Sequence, residues 1–170
     1  MELALFWIER AFPGRIAIVP RPRGGDWLER DLKLIRKDGI DVLVSMLTSE
    51  EAAEFELTDE RECSRLAGIE FISFPIVDRG VPESKESFAD LANKLAAQLE
   101  IGQHIGVHCR QGIGRSSLLA AAVLTSSGIE SSDALQAVSA ARGIRVPETA
   151  EQTRWFDEYA RLHTEFTKAS

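Results

Sequence analysis

Residues 104–127, HIGVHCRQGIGRSSLLAAAVLTSS, join a strand, a turn and a helix with no linker between them. HIGVH (104–108) reads as a short apolar strand, and the alanine- and leucine-rich run beyond the turn reads as a helix over 115–127. The turn, CRQGIG, carries two glycines and leads into Arg115 and Ser116. Cys109 therefore sits where a strand ends and a helix is about to begin.

The rest of the chain alternates in the same way. LALFWI (3–8) and RIAIVP (15–20) read as short strands, IDVLVSML (40–47) as a buried strand and IEFISFPI (69–76) as another. DWLERDLKLIRKDG (26–39) sets Leu28, Leu32 and Ile35 on one helical face, with Asp26 as the expected N-cap and Gly39 as the stop. SEEAAEF and TDERECSRLAG give two short helices, the second ending at Gly68. A long helix over 84–100 carries Phe88, Leu91, Leu95 and Leu99 near helical spacing, and two more are predicted over 131–142 and 149–166. This alternation predicts an α/β fold: a central, mainly parallel sheet of about four to five strands with helices on both faces. No repeat or linker divides the 170 residues, so a single domain over 1–170 is expected. Ligands of such sheets collect at the carboxyl ends of the strands, and Cys109 lies at one of them.

A formal charge of −7 argues against a generic nucleic-acid or anionic-membrane surface and leaves room only for a local basic site. No apolar run approaches the length of a membrane span. The stretch MELALFWIERAFPG has neither a basic leader nor a small-residue cleavage site, so no signal peptide is expected. Two cysteines, Cys63 and Cys109, do not make a disulfide-dense scaffold; reduced thiols in the cytoplasm are expected. No clustered set of metal ligands is visible, so no metal or other cofactor is expected. The oligomeric state is left open.

The turn has the makings of an oxyanion cradle. Gly112 and Gly114 let the backbone bend, and successive N–H groups in such a turn form an anion-binding concavity to which the helix that follows adds its positive end. Arg115 offers a planar fork of donors to two phosphate oxygens at once. Arg110, Gln111, Gly112, Ile113, Gly114 and Arg115 are thus the candidate phosphate-binding residues. Helix N-termini and nearby cations favour the thiolate form of cysteine, so Cys109 is expected to be an ionised nucleophile that takes a phosphoryl group and forms a phosphocysteine. Asp78, in FPIVDRGVPES, is the candidate general acid, because a carboxyl on a glycine-containing loop can close over a site and protonate a leaving oxygen.

Cys109, five residues, Arg115 and then Ser116 resemble the Cys-x5-Arg-Ser/Thr signature of the cysteine-dependent protein tyrosine phosphatases, and His108 matches the histidine that usually precedes the cysteine. The similarity is closest to the compact dual-specificity branch. It implies a dual-specificity phosphatase-like fold and hydrolysis of phosphotyrosine, with phosphoserine and phosphothreonine as further substrates in phosphorylated proteins. It also implies that Asp78 is the acid on a movable loop, that Ser116 helps the thiolate depart, and that His108 supports the cysteine. Gln152 stands where some relatives position the hydrolytic water, yet Thr149 and Gln152 also fit a capping box, and both readings stay open. Arg142 is expected to support the turn. Some relatives protect their nucleophile with a second cysteine on an earlier strand; Cys63 lies in a helix instead and departs from that pattern.

Ile113, where phosphoinositide phosphatases with this signature usually add a basic residue, disfavours a highly charged headgroup, although Arg110 keeps it open. The acidic chain disfavours an RNA 5′-phosphatase. Trp27 or an aromatic of the final helix is the candidate for the rim of the site. The rivals are a rhodanese-like sulfurtransferase, whose loop is typically one residue shorter, and a phosphoprotein-binding module with negligible turnover. A low-molecular-weight arsenate reductase fits worse, since that architecture carries its signature near the N-terminus.

Overall fold

A computed structural model describes residues 3–10 and 12–168. Five strands, β1 (Phe6–Trp7), β2 (Ile16–Ile18), β3 (Val42–Ser45), β4 (Glu70–Ser73) and β5 (Ile105–His108), form one sheet in the order β1-β2-β5-β3-β4. Only β1 runs antiparallel to its neighbour; β2, β5, β3 and β4 are mutually parallel. The helices are α1 (Leu28–Lys37), α2 (Ser49–Glu54), α3 (Glu60–Ala67), α4 (Lys85–Glu100), α5 (Arg115–Ser126), α6 (Ser131–Arg142) and α7 (Ala150–Lys168). The sheet is mainly parallel and covered on both faces, as the alternation predicts.

Alternation along β3 divides the core. Val42 and Val44 join Ile16, Ile18, Ile105 and Val107 in packing against α4–α7, while Leu43 faces Leu32, Ile35 and Ile69 on the side of α1 and α3. In β5, Gly106 takes that second face, where an added Cβ would come within 2.6 Å of Val19 Cγ2; only a residue without a side chain lets β2 and β5 close there. The alanine- and leucine-rich α5 has no polar face, and every residue from Arg115 to Leu124 is buried, as a helix apolar all round requires. On α4, Phe88, Leu91, Leu95 and Leu99 are buried, each contributing roughly 1.5–3 kcal/mol of transfer free energy. The Ser84 hydroxyl caps that helix by accepting the Ser87 N–H.

Two local expectations fail. Asp26 is not an N-cap: the chain enters α1 through a 3-10 turn, Gly25–Trp27, and the cap position falls on Trp27 without a side-chain bond. The run 3–8 yields only a two-residue strand, Phe6 opposite Ile18 and Trp7 opposite Ala17, with one further bond from the Ile8 N–H to the Ile16 carbonyl at 2.9 Å. Because β2, β3, β4 and β5 point the same way, the segments that follow them emerge at one edge of the sheet. Those segments hold Arg21, Met46, Asp78 and Cys109.

Candidate active site

The turn after β5 wraps around the Cys109 sulfur. Sγ lies 3.2 Å from the Gly112 nitrogen, which donates to it, and 3.2 Å from Ser116 Oγ on the first turn of α5. Gly112 reaches this position with φ +70°, where a side chain would be strained, and an added Cβ would also press on Ile18 at 2.9 Å. The carbonyls of the turn are engaged from outside. Arg142 donates Nε to the Gly112 carbonyl at 2.7 Å, supporting the turn as expected, and Nη2 to that of Gln111 at 3.4 Å. Arg21 donates Nη1 to the Arg110 carbonyl at 3.2 Å.

Above the sulfur is a cavity of about 130 Å³ lined by Asp78, Arg79, Cys109, Arg110, Gln111, Ile113, Gly114, Arg115 and Glu148. A larger one, about 660 Å³, lies along β4, α2 and the segment after β4; it contains neither Cys109 nor Arg115, so the chemistry points to the smaller cavity. Trp27 lines neither cavity, and neither do Trp155, Phe156 and Tyr159 of α7, which pack among themselves and against Phe88.

Arg115 is 2% exposed and held by four groups. Its Nη1 donates to Glu51 Oε1 at 2.6 Å and to the carbonyls of Ile76 (2.7 Å) and Met46 (3.3 Å), while Nη2 donates to Glu51 Oε2 at 2.9 Å and Asp78 Oδ1 at 3.1 Å. Burial by itself would raise the Glu51 carboxyl, but the hydrogen bond from Arg115 and those from Thr48 outweigh it and leave the group below its ordinary range. For Arg115, burial opposes the charge, yet Glu51 and the charges of Cys109 and Asp78 hold the guanidinium above its ordinary value.

Asp78 sits in a turn closed by the Gly80 N–H donating to the Val77 carbonyl at 2.8 Å, with Arg79 at φ +62°. Its second oxygen is 3.9 Å from Arg110 Nε. Arg110 lines the cavity and is also engaged beside it: Nη2 reaches Glu54 at 3.0 Å and the guanidinium lies 4.8 Å from the Phe55 ring centre.

Gln152 is fully buried and makes the capping box: Oε1 accepts the Thr149 N–H at 3.2 Å, and Thr149 Oγ1 accepts the Gln152 N–H at 3.1 Å. Its Nε2 also donates to the Gly80 carbonyl at 3.0 Å, tying α7 to the turn that carries Asp78. His108 is buried with Nε2 2.6 Å from Glu60 Oε1, a pair that links β5 to the start of α3. Cys63 is half-buried on α3, and both cysteines are free.

Three acidic residues escaped the sequence reading. Glu51 carried a signal, because TSEE offers Thr48 and Glu51 as a capping box; the box forms, and the same Oε1 holds Arg115. Glu60 and Glu148 carried none, since each acquires its place only through contacts distant in sequence, with His108 and with Arg79.

Rat (Rattus norvegicus) cyclin-dependent kinase inhibitor 3 is 25% identical over 134 residues, 78% of this chain and 63% of the relative; the chain thus spans less than two thirds of that protein. The fold superposes on kinase-associated phosphatase with its catalytic-site cysteine replaced by serine, at TM-score 0.82 and 20% identity over 94% of each chain. It also superposes on the active form of Tk-PTP, at TM-score 0.76 and 25% identity over 95% of this chain and 99% of that one. The family model described as "Polymorphic toxin system, DSP-PTPase phosphatase" (Tc-R-P) matches residues 19–129, from just after β2 to just past α5, and with that match the chain belongs to the DSP-PTPase phosphatase family.

Proposed function

We propose that this protein is a phosphoprotein phosphatase that hydrolyses phosphotyrosine, with phosphoserine and phosphothreonine as further substrates, through a phosphocysteine at Cys109. The observation that carries the reading is the sulfur itself, held at 3.2 Å by a backbone N–H and by Ser116 beneath a cavity whose walls include Arg115 and Asp78. The family and the similarity to kinase-associated phosphatase, in which the catalytic group is a cysteine, support the same assignment. A cavity of about 130 Å³ holds a phosphoryl group and little else, so the rest of the substrate lies across the rim.

The thiolate attacks phosphorus from below, the P–O ester bond breaks, and Asp78 delivers its proton to the departing oxygen. Phosphate oxygens take the place of Asp78 on Arg115 Nη2 and meet the N–H groups of residues 110–114. Water then attacks the phosphocysteine with Asp78 as the base; the P–S bond breaks, and inorganic phosphate and the thiolate are released. Ser116 Oγ stabilises the sulfur as it leaves. Gln152, already fixed to the Asp78 turn through Gly80, is the group we assign to aligning that water. Two free thiols accord with a reducing compartment, the cytoplasm, and no helix among the described residues is long and apolar enough to cross a membrane.

The test is mass spectrometry of acid-quenched reactions with p-nitrophenyl phosphate. Phosphate is expected on Cys109 alone, and Cys109→Ser is expected to abolish turnover while still binding phosphopeptide. Phosphate on any other side chain, or unchanged turnover by Cys109→Ser, would overturn the reading.

A further inference from the structure

Arg21, in the segment that follows β2, plays no part in the reaction described above, yet it is fixed beside the site. Its guanidinium carbon lies 3.5 Å from the centre of the Phe55 ring, and Nη1 is anchored on the Arg110 carbonyl at 3.2 Å. Arg110 approaches the same ring at 4.8 Å. Two guanidinium groups therefore share one aromatic side chain beside the phosphate cavity, in a protein of net charge −7.

Their carboxylate partners are unequal. Arg110 pairs with Glu54 at 3.0 and 3.2 Å, although its Nε is buried and makes no hydrogen bond. Among the described residues, no carboxylate oxygen comes within 4.0 Å of Arg21. Burial, and then the charge of Arg110, pull the Arg21 guanidinium below its ordinary range, with Glu54 and Glu51 acting against them. A stacked, half-buried cation with donors unused, next to a second cation, is set to receive an anion.

We infer that Arg21, backed by Arg110 and Phe55, forms a second anion subsite that favours phosphopeptides bearing a carboxylate or a second phosphate beside the scissile phosphoryl group. The inference rests on the phosphatase reading of the neighbouring cavity, and it supplies what that cavity lacks, a reason for one phosphopeptide to be chosen over another. Glu54 is the internal competitor for this subsite, since it already holds Arg110.

The experiment measures binding rather than turnover, so that it stands apart from the chemistry. Calorimetry compares Cys109→Ser with Cys109→Ser/Arg21→Gln on three phosphotyrosine peptides, with neutral, glutamate or phosphothreonine neighbours. Glutamine removes the charge and keeps a polar side chain, and a general disturbance of the loop would weaken all three peptides alike. Arg21 is expected to give the two acidic peptides an advantage of about tenfold over the neutral one, the worth of one charge-assisted hydrogen bond. Arg21→Gln is expected to cut that ratio to near unity. Loss of affinity for only the phosphothreonine peptide would assign the subsite to phosphate, and loss for both would assign it to any oxyanion. An unchanged ratio, or no acidic preference with Arg21 in place, would overturn the inference. Parallel assays of the native protein on p-nitrophenyl phosphate report separately on the phosphatase reading.

Discussion

Arg115 divides its donors between fixed and exchangeable partners. Glu51 and the carbonyls of Met46 and Ile76 are framework, whereas Asp78 is a 44% exposed side chain on a turn. Substrate can displace only the last of these without dismantling the site. On the proposed mechanism Asp78 occupies the Arg115 guanidinium until phosphate takes its place, and is then beside the oxygen it is assigned to protonate. Removing its proton-donating ability with Asp78→Asn is expected to slow alkyl phosphates by about 10²–10⁴-fold, the usual worth of a positioned acid. Aryl phosphates, whose leaving groups need less help, should slow far less. Steady-state rates on the two ester types check this, and equal losses would remove Asp78 from the role.

Among the elements, α2 is short but fastens the site. Glu51 caps it through Thr48 and joins it to α5 through Arg115, so one carboxylate serves a helix start and a buried ion pair together. Replacing it with alanine removes the closer of the two carboxylates that face a buried guanidinium, leaving only the exposed Asp78 opposite it, a loss of up to about 3–5 kcal/mol. For a chain of this size each kcal/mol shifts the Tm by about 2–4 °C, so Glu51→Ala should melt up to about 6–20 °C below the native protein by calorimetry. Glu51→Gln, which keeps the capping acceptor, should lose less. The capping half of this arrangement was legible in TSEE, because a cap is local chemistry. The ion pair was not, because it spans 64 residues of sequence. The same division explains the other outcomes. The helix over 85–100 announced itself through apolar spacing, whereas the cap at Asp26 failed because a 3-10 turn took over the entry to α1. Cys109, Arg115 and Ser116 were visible as a contiguous motif; Glu60 and Arg21 act across 48 and 89 residues and left no local mark.

For the molecule as a whole, paired carboxylates set the response to acid. Asp31 has no exposed side-chain surface, and burial would raise it, yet the bonds from Arg23 bring it below its ordinary range; Asp41 behaves likewise, through burial opposed by His104 and Arg36. With Glu51 lowered as well, the native state binds fewer protons than the unfolded chain. The resulting stability is fully present above the unfolded carboxylate values of about 4 and is lost as pH falls through the lower native ones. At the other limit, burial pushes the Tyr159 phenol up to about 12, so stability present below pH 10 is lost as pH rises toward 12. Urea midpoints across the pH range should therefore be flat near neutrality and fall at both ends; a midpoint that rose below pH 4 would contradict the pairing.

The burial of α5 has a kinetic corollary. Ten consecutive residues of that helix are enclosed, so the turn at its head has little freedom to breathe, and whatever gates access must come from the opposite wall. That wall is the stretch around Asp78, where Val77 is 69% exposed. On the proposed phosphatase reading, the bond from Gln152 to the Gly80 carbonyl then couples any movement of that wall to the head of α7.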